Sequence, residues 1–112
     1  MNKLTTVLAG LALCLSTNVF AEQHADAALK HATEASTHGK AGHANVLVDH
    51  AKLALDEAAS ASLVSKSIAK NHIDEAGELL QKAVNEGNLN HAPAATKLVD
   101  EAIAHLKAIP KK

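Results

Sequence analysis

Three histidines stand seven residues apart, His24, His31 and His38, in an alanine-rich stretch that contains "ALKHATEA" (28–35). Neutral imidazole is a good ligand for Cu(II), Ni(II) and Zn(II), and carboxylate can complete the shell. Such an ion needs several N or O donors converging at about 2.0–2.2 Å. On a helix, at about 100° per residue, a spacing of seven returns to nearly the same face, about 20° short of two turns. Glu34 lies three residues after His31 and four before His38, so it belongs to neighbouring turns of that face. His38 and His43 bracket "GKAG", whose glycines let the chain bend until both rings converge. Further histidines wait at His50, His72, His91 and His105, with Glu57, Glu75, Glu86 and Glu101 nearby.

Composition narrows what these groups can do. Lys3 precedes an apolar run from Leu4 to Leu15, followed by "STNVFA". This has the form of a secretory signal, residues 1–21, cleaved after Ala21, which places the protein in the periplasm. The run is too short to span a bilayer, so no membrane attachment is expected after cleavage. The remaining domain, residues 22–112, has no Cys, Met, Trp, Tyr or Phe, since Met1, Cys14 and Phe20 belong to the leader. Disulfides, thiolate sites and c-type haem are excluded there. Net charge is −1 with no arginine, so nucleic-acid binding has neither its electrostatic term nor its stacking platforms.

Periodicity and breakers predict four helices and no strand. The first runs from about Glu22 to His38. The second starts near Asn45 and reaches at least Ser60, with serines marking a hinge that no Pro or Gly enforces. The third spans about Lys66 to Glu86, and the fourth begins at Pro93 and stops before Pro110. A shift of 48 maps His24 onto His72, Gly39 onto Gly87, and His43 onto His91. We read this as two duplicated helical hairpins forming an all-α, antiparallel up-down four-helix bundle. The predicted apolar stripes are Ala25, Ala28, Leu29, Ala32 and Ala35 on the first helix, Leu47, Ala51, Ala54, Leu55 and Ala58 on the second, Ala69, Ile73, Ala76, Leu80 and Ala83 on the third, and Ala95, Leu98, Val99, Ala102, Ile103 and Leu106 on the fourth; alanine dominates them, so the core is thin and stability modest.

The histidines fall on one edge of each stripe. In an antiparallel pair, residues at one height have numbers of constant sum. In the first hairpin His38 with His43, His31 with His50, and His24 with Glu57 share the sum 81; in the second, Glu86 with His91, Leu79 with Leu98, and His72 with His105 share 177. His31, Glu34 and His50 then form one expected ligand set. His72 and Glu75 with His105 and Glu101 form another. The plain alternatives are an i, i+4 pair between Glu101 and His105, and His91 as a helix cap. The hand of the bundle, which decides whether the histidine edge of the first helix meets the second helix or the fourth, is not set by these patterns.

"ALKHATEA" (28–35), "THGKAGH" (37–43) and "VDHAKLAL" (48–55) resemble segments of the small metal-binding protein family. That resemblance implies an exported four-helix bundle that binds divalent metals, chiefly copper, and buffers or sequesters them. It also implies ligand roles for His24, His31, His38, His43, His50, His72, His91 and His105. This chain has fewer histidines than the family pattern. Leu79 and Leu98 stand where a matched pair would complete the second hairpin, and Glu57 and Glu86 replace imidazoles. The first hairpin is therefore expected to carry most of the capacity.

The reading is a monomeric periplasmic protein that holds Cu(II), and less selectively Ni(II) or Zn(II), through His and Glu, without catalysis. Protons compete for neutral imidazole, so affinity falls on acidification. A rival is a helical interaction or stress module whose histidines only tune solubility and pH response. A di-metal enzyme is disfavoured because the order is His before Glu at His31 and Glu34 and at His72 and Glu75, the reverse of the Glu-x-x-His pairs such bundles use.

Overall fold

The computed structural model describes residues 2–111, with side chains from residue 19 onward. Four helices follow in order: α1 (Asn2–Lys40), α2 (Ala44–Val64), α3 (Ser67–Asn88) and α4 (Ala92–Lys107). No strand occurs among the described residues. Each helix packs on its chain neighbours, and α4 closes the bundle against α1.

The first helix starts earlier than the sequence pattern suggested. It runs without interruption through Ala21, because the stretch between Asn2 and Glu22 is rich in Ala and Leu and contains no proline. The side chains of residues 1–18, including the apolar run Leu4–Leu15 and Cys14, lie outside the described residues. Among the described residues, no helix is long and apolar enough to cross a membrane. The serine-rich hinge is a true break. Ser65 and Lys66 are extended, and Ser67 takes a left-handed φ of 58°. Serine hydroxyls offer the backbone and its neighbours alternative partners, which weakens helix continuation. Here Ser62 Oγ donates to Asp74, and Lys70 Nζ donates to Ser62 Oγ at 2.8 Å and Asp74 Oδ2 at 3.0 Å, tying α2 to α3 across the break.

The other two connections are built alike. After α1, the His43 N–H donates to His38 O at 2.9 Å and the Gly42 N–H to Gly39 O at 3.0 Å, with Gly42 at φ 83°. After α3, the His91 N–H donates to Glu86 O at 3.0 Å and the Asn90 N–H to Gly87 O at 2.9 Å, with Asn90 at φ 63°. Both are Schellman motifs, in which the residue in the left-handed conformation ends the helix. The two glycines shared by the sequence repeat, Gly39 and Gly87, lie one turn earlier and are buried inside the helices. Their role is close approach: a Cβ at Gly39 would collide with Thr96 and Leu47, and one at Gly87 with Val48.

The core follows the predicted stripes. Ala28, Ala32 and Ala35 of α1, Ala51 and Ala54 of α2, Ala76 and Ala83 of α3, and Ala95 and Ala102 of α4 are fully buried. Leu47, Ile73, Leu80 and Val99 are the largest fully buried side chains. A few large aliphatics set among alanines bring the helices close, so groups on the flanking edges of neighbouring helices lie within reach of each other.

Candidate metal centre

The histidine edge of α1 faces α2. Every cross-helix pair of sum 81 meets. His24 Nδ1 lies 2.9 Å from Glu57 Oε2, the rings of His31 and His50 have centroids 6.4 Å apart, and those of His38 and His43 are 6.3 Å apart. Two pairs of sum 177 meet through polar atoms: His72 Nδ1 is 3.2 Å from His105 Nδ1, and His91 Nδ1 is 2.8 Å from Glu86 Oε2. Leu79 and Leu98, the remaining pair, are partly buried against the core.

Two groups bring three donors together. In the first, His31, Glu34 and His50 each offer a ligand atom, all within 4.8 Å of one another. Two donors on a single ion lie at most about 4.2 Å apart, so a small closure of the side chains suffices. His31 and Glu34 sit on successive turns of α1, and α2 supplies His50 at the same height. The Nδ1 atoms of His31 and His50 are buried and have no hydrogen-bond partner. Glu34 Oε1 stands 3.6 Å from His31 Nδ1, too far for a hydrogen bond. Buried polar atoms are almost always satisfied, and an orphaned one costs about 1–3 kcal/mol. Two such nitrogens beside an unengaged carboxylate suit a divalent ion.

In the second group, His72 and Glu75 of α3 meet His105 of α4. His105 Nδ1 is 3.0 Å from Glu75 Oε2 and 3.2 Å from His72 Nδ1. A tetrahedral shell with ligands at about 2.05 Å has edges of about 3.3 Å, close to these separations. Here the apo donors already contact each other, whereas in the first group two remain unpartnered. With three protein ligands, either group leaves room for water or a further ligand.

The remaining expected ligands are spread along the same seams. His38 stacks on His50, with centroids 5.3 Å apart and planes 2° from parallel. His43 is exposed at the start of α2. His91 occupies the N-cap position of α4 but makes no side-chain cap bond, its Nδ1 turning to Glu86 instead. The loop geometry explains both loop pairs, because a Schellman motif brings the side chains at its first and last residues together. Those positions hold His38 and His43 in one motif, and Glu86 and His91 in the other. Glu86 was aligned with His91 by the constant sum but not counted as a ligand; its contact makes it one more donor at that loop. Glu101 is the exception among the expected residues. It is exposed and outside the second group, because a step of four residues carries it about 40° further from the core than His105. Of the two carboxylates expected in this set, only Glu75 joins it.

Comparison with curated proteins finds no match. A family model described as small metal-binding protein matches residues 1–109. That match spans nearly the whole chain and includes both His–Glu groups, and the chain belongs to the small metal-binding protein family.

Proposed function

We propose that the protein reversibly binds divalent transition metals, chiefly Cu(II) and less selectively Ni(II) or Zn(II), and buffers or sequesters them in the periplasm. Histidine-rich sites with one carboxylate match the preferences of these ions, and imidazole favours Cu(II) most among them by the general affinity order. The observation that carries the reading is the convergence of donor atoms from His31, Glu34 and His50, beside the fact that both histidines bury an Nδ1 without a hydrogen-bond partner. His72, Glu75 and His105 form a second centre, while His24, Glu57, His38, His43 and His91 add weaker positions along the seams. In this reading the mature domain is residues 22–112, released by cleavage after Ala21, and it acts as a monomer without catalysis. The reading includes an antiparallel up-down bundle of two duplicated hairpins, which is supported by the constant sum of the cross-helix pairs in each half and by the hydrogen-bond pattern that the two turns share 48 residues apart.

Isothermal titration of the chain with Cu(II) at pH 7.5 tests the proposal. Saturable binding is expected, with the tightest step lost in a His31→Ala/His50→Ala variant. If only weak millimolar adsorption is found, or the double variant binds as the wild type does, the reading is wrong.

A further inference from the structure

At the end of the bundle away from the two Schellman turns, α1, the α2–α3 break and the end of α4 enclose a cavity of about 640 Å³. Sites for small organic molecules typically measure about 300–1,000 Å³. Its walls are aliphatic: Ala25, Val64, Ala69, Ile73, Leu106 and Ile109. Ala25, Ile73 and Leu106 are buried. None of the proposed metal donors lines it. The polar side chains of the lining are Glu22, Asp26, Ser65, Lys66, Ser67 and Lys111. All but the half-buried Ser65 are exposed, so they form the mouth. Apart from Ala21, every lining residue falls within 22–112, so the cavity does not depend on the leader.

The charges of the mouth are sorted. Lys111 Nζ donates to Asp26 Oδ1 at 2.7 Å, and Glu22 acts on the same ammonium. The lysine ion pairs among the described residues are those of Lys70 and Lys111, which leaves Lys66 as the unpaired cation of the mouth. No acidic residue stands in the first turn of α3 beside it. A ligand that fits is therefore apolar along its length, polar at one end only, and negative at that end. Walls of Ala, Val, Ile and Leu offer apolar area without direction, which suits a flexible alkyl chain.

We propose that this cavity binds a monoanionic amphiphile, a carboxylate on a medium-length alkyl chain, with the chain between Ala25, Ile73 and Leu106 and the carboxylate at Lys66. Ser65 and Ser67 flank Lys66 in the lining and offer hydroxyl donors to the same head group. Leu63 and Ile68, each next in the chain to a lining residue, are 87% and 60% exposed and extend the apolar surface beside the mouth. This binding function is separate from metal coordination and needs no ion.

The probe is decanoate below its micelle concentration, titrated into the full chain in chelator. Saturable one-to-one binding is expected, strengthening about fourfold per added methylene from octanoate to dodecanoate. Lys66→Ala is expected to weaken decanoate about fivefold, as for an exposed ion pair, and to leave decanol unchanged. Decyltrimethylammonium, with the opposite head charge, is expected to bind more weakly than decanol. Ala69→Phe fills the cavity and is expected to abolish binding; Val64→Phe is the second filling variant, used where circular dichroism shows the first unfolded. Absence of saturable decanoate binding by the wild-type chain overturns the proposal. So do equal binding of decanoate and decyltrimethylammonium, unchanged decanoate binding in a folded filling variant, and self-association of the chain through this end that excludes decanoate. Cu(II) titration of the same samples reads the metal-binding function independently, so the failure of either is distinguishable from that of the other.

Discussion

At the scale of single residues, the apo protein carries a cost that the proposed ion would relieve. His31 and His50 each bury an Nδ1 without a partner. Replacing both by apolar side chains removes the orphaned atoms together, a change that is near neutral or stabilising where removing one partner of a satisfied pair is not. His31→Leu/His50→Leu is therefore expected to raise the melting temperature in chelator, by an amount corresponding to about 1 kcal/mol, while losing the tight Cu(II) step. A lower melting temperature in chelator would show that the imidazoles contribute to the fold itself. A second residue-scale effect lies at the α2–α3 break. Hydrogen bonds from Ser62 and then Lys70 hold the Asp74 carboxyl below its ordinary value of 3.8. A carboxylate lowered in the folded state binds fewer protons there than when unfolded. Its stabilisation is thus present above pH 3.8 and is lost as pH falls below that value toward the folded one. The group is exposed, so the contribution is at most about 0.5 kcal/mol. Asp74→Asn is expected to lower stability slightly at neutral pH and to flatten acid unfolding near pH 4; identical acid limbs for both chains would count against a stabilising role for the Ser62–Asp74–Lys70 hydrogen bonds.

At the scale of elements, glycines within the helices have opposite meanings. Gly39 is needed because Thr96 of α4 and Leu47 of α2 occupy the space a Cβ would take. Gly77, in the middle of α3, faces a cleft where an added Cβ meets only Leu55 Cδ1 at 3.8 Å. Alanine at Gly77 gains helix propensity without collision, so Gly77→Ala is expected to stabilise by about 0.5–1 kcal/mol. Gly39→Ala forces α1 away from α2 and α4 and is expected to cost about 1–3 kcal/mol as overpacking. Chemical denaturation of the two variants checks the pair, and the same sign for both would refute the assignment. The turns carry a related lesson. The sequence repeat draws attention to Gly39 and Gly87, yet the left-handed residues are Gly42 and Asn90. A repeat of residue type does not say whether a glycine serves a turn or a close contact, since both needs select the same side chain.

At the scale of the whole molecule, a core made largely of alanine buries little apolar area per residue, so bound ligands have a large relative effect on stability. An ion that binds only the folded chain at about 100 times its Kd adds about 2.7 kcal/mol. In a domain of this size each kcal/mol moves the melting temperature by about 4–8 °C. Saturating Cu(II) is accordingly expected to raise it by about 10 °C or more, and by much less in His31→Leu/His50→Leu. Equal shifts in the two chains would place the stabilising ion elsewhere.

Helix number, the alanine stripes and the pairing of His24 with Glu57, His31 with His50 and His72 with His105 were legible in the sequence, because a seven-residue spacing and short turns leave little freedom in which heights coincide. The start of α1 was not, since alanine and leucine continue a helix whether or not a leader precedes it. Nor was the choice of Glu75 over Glu101 beside His105. Both lie within four residues of a histidine on their own helix, and only the rotation of each helix about its axis separates them. The sequence by itself determined which residues share an edge and a height, as periodicity along one chain is enough for that. Only the tertiary structure decided that the edge of α1 turns to α2 rather than α4. That choice depends on how four helices close around their core, a property no single helix contains, and it brings the rings of His31 and His50 together, each with a buried Nδ1 that has no partner.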